Sequence, residues 1–137
     1  MKLLDTSVLV DIDRGGVDQK VHKLDDEGKH GISMVTVTEL RLGVDLQYDP
    51  GTDRHTEALD DLDRFLARFD IHPVARPVAT TAAEIIAELR GDGQRLDDLH
   101  DVYIAATART RGLPVVTANV DRFDRIDGIR PVDWDEF

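Results

Sequence analysis

The chain has no cysteine among its 137 residues, which excludes disulfide stapling and thiolate chemistry. It has no long hydrophobic run either, because Asp, Arg or Thr interrupts every apolar stretch within a few residues; a membrane span is therefore not expected. Met1-Lys2-Leu3-Leu4-Asp5 leads into neither the long apolar segment nor the small-residue cleavage site of a signal peptide, so the expected location is cytoplasmic. Lysine is scarce, with only Lys2, Lys20, Lys23 and Lys29, and 28 acidic residues against 17 basic leave a formal net charge of -11. That balance opposes binding to a polyanion unless arginines cluster locally. It also suits a protein adapted to high salt, where long-range repulsion is screened. The phosphate-cradling Gly-x-x-x-x-Gly-Lys loop, the Gly-x-Gly-x-x-Gly turn and the Gly-x-Ser-x-Gly elbow are all absent. The five histidines (His22, His30, His55, His72 and His100) lack metal-ligand spacing.

What is present fits one α/β domain. Hydrophobic residues make up 41% of the chain, enough for a single core at this length. Leu3-Leu4 reads as a short buried strand, with Thr6 or Ser7 capping a helix from Val8 that Gly15-Gly16 stops. Val17, Val21 and Leu24 mark a surface helix ending at Gly28. Gly31 to Met34 reads as a second strand, and Thr36 or Thr38 precedes a helical start at Glu39. The polar turn at Asp49-Pro50-Gly51 separates that helix from one carrying Leu59, Leu62, Leu66 and Phe69, so 37–70 is expected to form a helical arm. Ile71 to Val74 is an edge strand because Pro73 lacks a donor. Pro77 opens a helix with the stripe Val78, Ala82, Ile85, Ile86 and Leu89. A helix through Asp101, with a small-residue face at Ile104, Ala105 and Ala108, leads to the clearest strand, Leu113 to Thr117. Ile129 to Val132 is a last strand, and Trp134 is expected to cover an edge of the core. Alternating strands and helices predict a mainly parallel sheet between helical layers.

The residues with chemical promise are carboxylates. Asp5 and Glu39 each follow a strand, Asp101 enters a helix, and Asn119 and Asp121 lie just beyond the Val115-Val116-Thr117 strand. Singly, each reads as an ordinary polar residue, Asp at a helix start being favoured by the dipole. Gathered at one sheet edge they would repel one another unless a hard cation joined them. Such a cluster can hold one or two Mg²⁺ or Mn²⁺ ions that activate water for attack on phosphorus. Ser7 reads as a cap or turn residue rather than a nucleophile. Asp97 and Asp98 read as capping or solvated residues, and Asp11 has no partner pattern.

The strings Leu4-Asp5-Thr6-Ser7, Val37-Thr38-Glu39-Leu40 with Gly43, and Asp101-Val102-Tyr103-Ile104-Ala105-Ala106 recur in order with Gly112-Leu113-Pro114-Val115-Val116-Thr117-Ala118-Asn119, Phe123 and Pro131-Val132-Asp133-Trp134. Together they resemble the PIN-domain family, specifically the VapC-like toxin ribonucleases of type II toxin–antitoxin modules. The resemblance spans nearly the whole chain and implies a single PIN-like domain over 1–137 with a three-layer α/β/α fold. It implies a Mg²⁺-dependent endoribonuclease with Asp5, Glu39 and Asp101 as its acidic core, Mn²⁺ as a substitute ion, and water as the attacking group. The fourth position is shared between Asn119 and Asp121, because the family's acidic residue before the final Phe is here Arg122. Thr6 and Thr117 fit as supporting hydroxyls or as partners of backbone groups. Arg41, Arg95, Arg109 and Arg111 are candidates for RNA-phosphate contact by the shape of their fork, with a solvated salt bridge as the default role of each. The resemblance further implies a VapB-like antitoxin and a homodimer; the apolar faces of 8–12 and 37–48 are candidate contacts, and burial in the core explains them equally well. Two other functions fit the residues: a non-catalytic PIN-like interaction protein, motivated by the net charge and the altered fourth position, and a metal-dependent nuclease acting on DNA or on phosphodiesters generally.

Overall fold

A strand of two residues lies at the centre of the molecule. In the computed structural model, which describes residues 1–94 and 98–137, β1 (Leu3–Leu4) hydrogen-bonds on one side to β2 (Gly31–Ser33) and on the other to β4 (Val115–Thr117). Beyond them lie β3 (Asp70–His72) and β5 (Pro131–Asp133), giving the order β3-β2-β1-β4-β5 with every pairing parallel. β3 is an edge strand, as expected, but it spans Asp70–His72 and stops before Pro73. The chain builds outward from β1 to β3 and then returns to place β4 on β1's other side. The point of reversal, between β1 and β4, is where open α/β sheets leave a crevice beyond the strands' carboxyl ends.

Alternation along the strands assigns the two faces. Leu3 and Val115, paired in register, point into one core, while Leu4 and Val116 point into the other. All four side chains are fully buried, each contributing roughly 2 kcal/mol. The first core lies under α5 (Arg76–Gly91) and α6 (Leu99–Arg111); the second lies under α1 (Thr6–Arg14), α2 (Asp18–Asp26) and α4 (Asp53–Leu66). The result is a three-layer α/β/α fold around a parallel sheet. Val78, Ala82, Ile85 and Leu89 of α5 form the expected buried stripe. In α6 the burial reaches further than one face: Val102 and Ile104 to Ala108 are all buried, because small side chains let the helix sit close to both sheet and α5. Gly112 ends α6 in the left-handed conformation at φ 66°, which its missing Cβ allows.

Several boundaries differ from those expected. α1 begins at Thr6 rather than Val8, and its N-cap is Asp5, not Thr6 or Ser7. α3 (Met34–Gln47) begins directly after β2 with Ser33 as cap, so Glu39 lies in the second turn rather than at the start. A short helix that the sequence reading did not anticipate, α7 (Val120–Asp124), follows β4. Trp134 directly follows the edge strand β5 and is fully buried in the second core, with Nε1 donating to Asp11 Oδ2 at 3.0 Å. Asp11 therefore has a partner that no local pattern announces. Arg95 and Asp97 lie outside the described residues. Among the described residues no helix is long and apolar enough to cross a membrane.

Candidate active site

Asp5 is placed by the end of the central strand. Its backbone N–H donates to Val116 at 2.9 Å, holding the chain to β4, and its carbonyl accepts the first bond of α1 from Val8 at 3.0 Å. The carboxylate is buried and caps the helix: Oδ1 accepts from Thr6 N–H, and Oδ2 accepts from the hydroxyls of Ser7 and Thr117, all at 2.8 Å. A cap of this kind is worth about 1 kcal/mol, and the two hydroxyls fix the rotamer. Both have further partners. Thr117 Oγ1 accepts from Asn119 N–H at 2.9 Å, and Ser7 Oγ accepts from Ala118 N–H at 3.2 Å, so the turn after β4 is tied to the turn after β1. The hydrogen of Ser7 is thus committed to Asp5, which leaves it a structural hydroxyl.

Glu39 reaches the same place from α3. Thr6 Oγ1 donates to Glu39 Oε1 at 2.8 Å and stands 3.0 Å from Thr36 Oγ1, itself fully buried. With the Thr6 hydrogen on Glu39, Thr36 donates to Thr6. A chain of two hydroxyls therefore orients the carboxylate.

Asp101 comes from the first turn of α6, whose N-cap is Asp98, accepting from His100 N–H at 2.8 Å. The Asp101 side chain is 9% exposed. Burial, the neighbouring charge of Asp5 and that of Asp98 raise its pKa to about 6, with Glu39 adding to the shift and Arg122 opposing it. Arg122 Nη1 lies 3.3 Å from Asp101 Oδ2 and 3.9 Å from Asp98 Oδ2. His100 Nδ1 lies 3.6 Å from Glu39 Oε2.

Asp5, Glu39, Asp101 and Asn119 line one open cleft of about 290 Å³ at the β1/β4 crevice, together with Thr6, Ser7 and Arg122. Asp121 is exposed on α7 and faces the neighbouring hollows instead, one shared with Asp101 and the other with Asn119. Of the two candidates for the fourth position, Asn119 shares the cleft with Asp5 and Glu39. Among the described residues no group of three His, Asp or Glu side chains is arranged to hold a metal ion as it stands.

Of the arginines expected at phosphates, Arg41, Arg109 and Arg111 are elsewhere. Arg41 pairs with Asp45 one turn along exposed α3 at 3.1 Å. Arg109 binds Glu88 at 3.1 Å and the Asp127 carbonyl, and Arg111 shares its turn at the far end of α6. Eight residues of helix separate Asp101 from Arg109, about 12 Å along the axis. Arg14 and Arg122 line the cleft in their place. The sequence offered one signal for Arg122, its substitution for an acidic residue before Phe123. His100 and Asp98 offered only adjacency to Asp101, and Thr36 none beyond its hydroxyl.

The PIN domain model matches residues 2–129 of the chain. Among curated proteins, the tRNA(fMet)-specific endonuclease VapC of Shigella flexneri is 35% identical over 109 residues, covering 80% of this chain and 78% of its own. Ribonuclease VapC1 of Rickettsia felis is 34% identical over 128 residues, 93% of this chain and 91% of its own. Among solved structures, DNA-bound VapBC from Salmonella typhimurium superposes with a TM-score of 0.78 at 28% identity, covering 98% of this chain and 99% of its own. The order of carboxylates along the chain, the parallel sheet that carries them and these likenesses agree: the chain belongs to the PIN domain family, as a VapC-like toxin of the type II toxin–antitoxin kind.

Proposed function

We propose that the chain is a Mg²⁺-dependent endoribonuclease, with Mn²⁺ as a substitute ion. The observation that carries this reading is the convergence of Asp5, Glu39 and Asp101, from three different elements, on one cleft. The relatives named as a ribonuclease and a tRNA endonuclease support the substrate class.

The donor set fits a hard cation, since it consists of carboxylate oxygens and the Asn119 amide without a thiol. The excess negative charge that lifts Asp101 is the charge a divalent ion offsets. Asp5, Glu39 and Asp101 would hold the ion, with Asn119 or Asp121 as the fourth support. When bound, Mg²⁺ polarises a phosphodiester and lowers the pKa of a water in its shell. The remaining work belongs to the chain. Ser7 and Thr117 keep Asp5 aimed into the cleft, and Thr6, backed by Thr36, does the same for Glu39. Asn119 stands exposed at the rim, where its side-chain N–H can meet a non-bridging phosphate oxygen. Arg14 and Arg122 supply positive charge at this cleft against an overall charge of -11.

A VapB-like antitoxin and a homodimer complete the reading. Likeness to a VapBC structure supports the first. Within the two helical stretches expected to make contacts, Val8 and Leu9 are buried in the core while Val10, Leu42 and Leu46 remain exposed. Co-purification with the product of an adjacent small gene, and suppression of toxicity by it, checks the antitoxin; light scattering of the purified chain checks the dimer.

The test is cleavage of an RNA pool and matched DNA with Mg²⁺, Mn²⁺ or EDTA, using wild-type and Asp101→Asn protein. RNA cleavage that needs the ion and Asp101 is expected. Undiminished cleavage by the variant, or in EDTA, sinks the assignment. Equal cutting of DNA moves the chain to the general phosphodiesterases.

A further inference from the structure

Arg122 occupies the place where a cation would be needed. Its guanidinium lies 3.3 Å from the Oδ2 of Asp101 and 3.9 Å from that of Asp98, so one side chain spans two cleft carboxylates. It approaches from the solvent side: Asp101 is 9% exposed and Arg122 54%. Arg122 also borders all three hollows around α7, the cleft and its two neighbours. The helix beneath it is fixed, because Phe123 is fully buried in the core and the Arg122 backbone N–H is held by the Asn119 carbonyl at 3.1 Å. The backbone is therefore anchored while the long side chain is free to turn outward. A guanidinium cannot lose its charge, so it and a divalent ion at the same carboxylate exclude one another by direct repulsion.

We propose that Arg122 is a built-in counter-ion that competes with the divalent cation for Asp101. This rests on the reading of Asp5, Glu39 and Asp101 as the metal site. Without the ion, Arg122 offsets the carboxylates' repulsion; when the ion enters, Arg122 swings off Asp101. The released guanidinium stays at the cleft, where its planar fork suits a phosphate oxygen pair. The departure from the family pattern at this position thus trades intrinsic metal affinity for a cation that is stored in the chain.

Calorimetric titration of Mn²⁺ into metal-free wild-type, Arg122→Gln, Arg122→Lys and Asp101→Asn proteins tests this, with circular dichroism to check folding. Arg122→Gln is expected to bind Mn²⁺ about ten-fold more tightly than wild type, and Arg122→Lys, which keeps the charge, to stay closer to wild type. A merely structural arginine would lower affinity in both variants. If Asp101→Asn abolishes binding but Arg122→Gln matches wild type, the competition is refuted while the metal site stands. If no protein binds Mn²⁺, or Asp101→Asn binds it as wild type does, the metal-site reading fails and the competition fails with it. Should Arg122→Gln not fold, Arg122→Met, which also removes the charge, takes its place: tighter Mn²⁺ binding supports competition, and unchanged or weaker binding overturns it.

Discussion

The two ends of α6 handle charge in opposite ways. At the carboxyl end, Arg109 is matched by Glu88 and the Asp127 carbonyl, and Arg130 donates to the Gly112 carbonyl at 2.9 Å. Arg109 and Arg130 thus each meet an acceptor, and basic residues in a last turn suit the helix dipole. At the amino end, Asp98 and Asp101 gather with Asp5 and Glu39 around one cleft, and Arg122 offsets only part of the excess. Some of this is ordinary capping, since Asp98 does hold the first turn. The rest is unbalanced charge in a buried setting, which folding alone would not favour. The contrast teaches where to look: satisfied charges mark architecture, and crowded like charges mark chemistry.

The largest expected effect falls on activity at the amino end. Asp5→Asn and Asp101→Asn should each lower RNA cleavage by about 100-fold or more, since losing even an outer partner of a metal ligand costs 10–100-fold; circular dichroism should show the fold retained. Arg109→Ala, by contrast, should leave cleavage unchanged, and loss of cleavage there would erase the distinction between the two ends.

The next effect is on stability and has a defined sign. Asp101 is raised from an unfolded value of 3.8 to about 6, so in EDTA the folded chain binds more protons than the unfolded one between these values. Stability should therefore fall as pH rises from about 4 to 6 and level off above, a loss of about 3 kcal/mol for this group. In Asp101→Asn the step should vanish. Denaturant titrations across pH measure both, and an unchanged step in the variant would assign it to another group.

Smaller effects follow. Thr6→Val removes the hydroxyl that orients Glu39 and should slow cleavage about ten-fold with little change in melting temperature. Steady-state rates check this, and a melting loss without a rate loss would make Thr6 architectural. Arg109→Ala should cost about 1 kcal/mol of stability, as a partly exposed arginine tied to carbonyl and carboxylate.

Much of this was legible along the chain. Leu3-Leu4 and Val115-Val116-Thr117 read as buried strands because they are short, apolar and end on polar residues, and they deliver Asp5 and Asn119 to the same edge. The α1 cap was not legible, since Asp5, Thr6 and Ser7 can all cap a helix. What decided it was the bond from Asp5 N–H to Val116, a contact made across 111 residues. Ser33 likewise preceded the hydroxyls at Thr36 and Thr38 as cap of α3, because β2 stops one residue before Met34. Arg109 and Arg111 were misplaced because arginine chemistry suits phosphate wherever it occurs, whereas only the direction of α6 shows that they lie at its far end. Arg122 was visible as a departure from a pattern, but its hold on Asp101, 21 residues earlier, needed the folded helix α7.

The central claim is that side chains from β1's end, α3 and α6 form one cation site. The direct measurement is the Mg²⁺-induced rise in melting temperature at neutral pH for wild type, Asp5→Asn, Glu39→Gln and Asp101→Asn. A rise in wild type that is mostly lost in each single variant is predicted, because binding to the folded state alone stabilises it. A rise that survives all three substitutions, or its absence from wild type at millimolar Mg²⁺, would contradict the account.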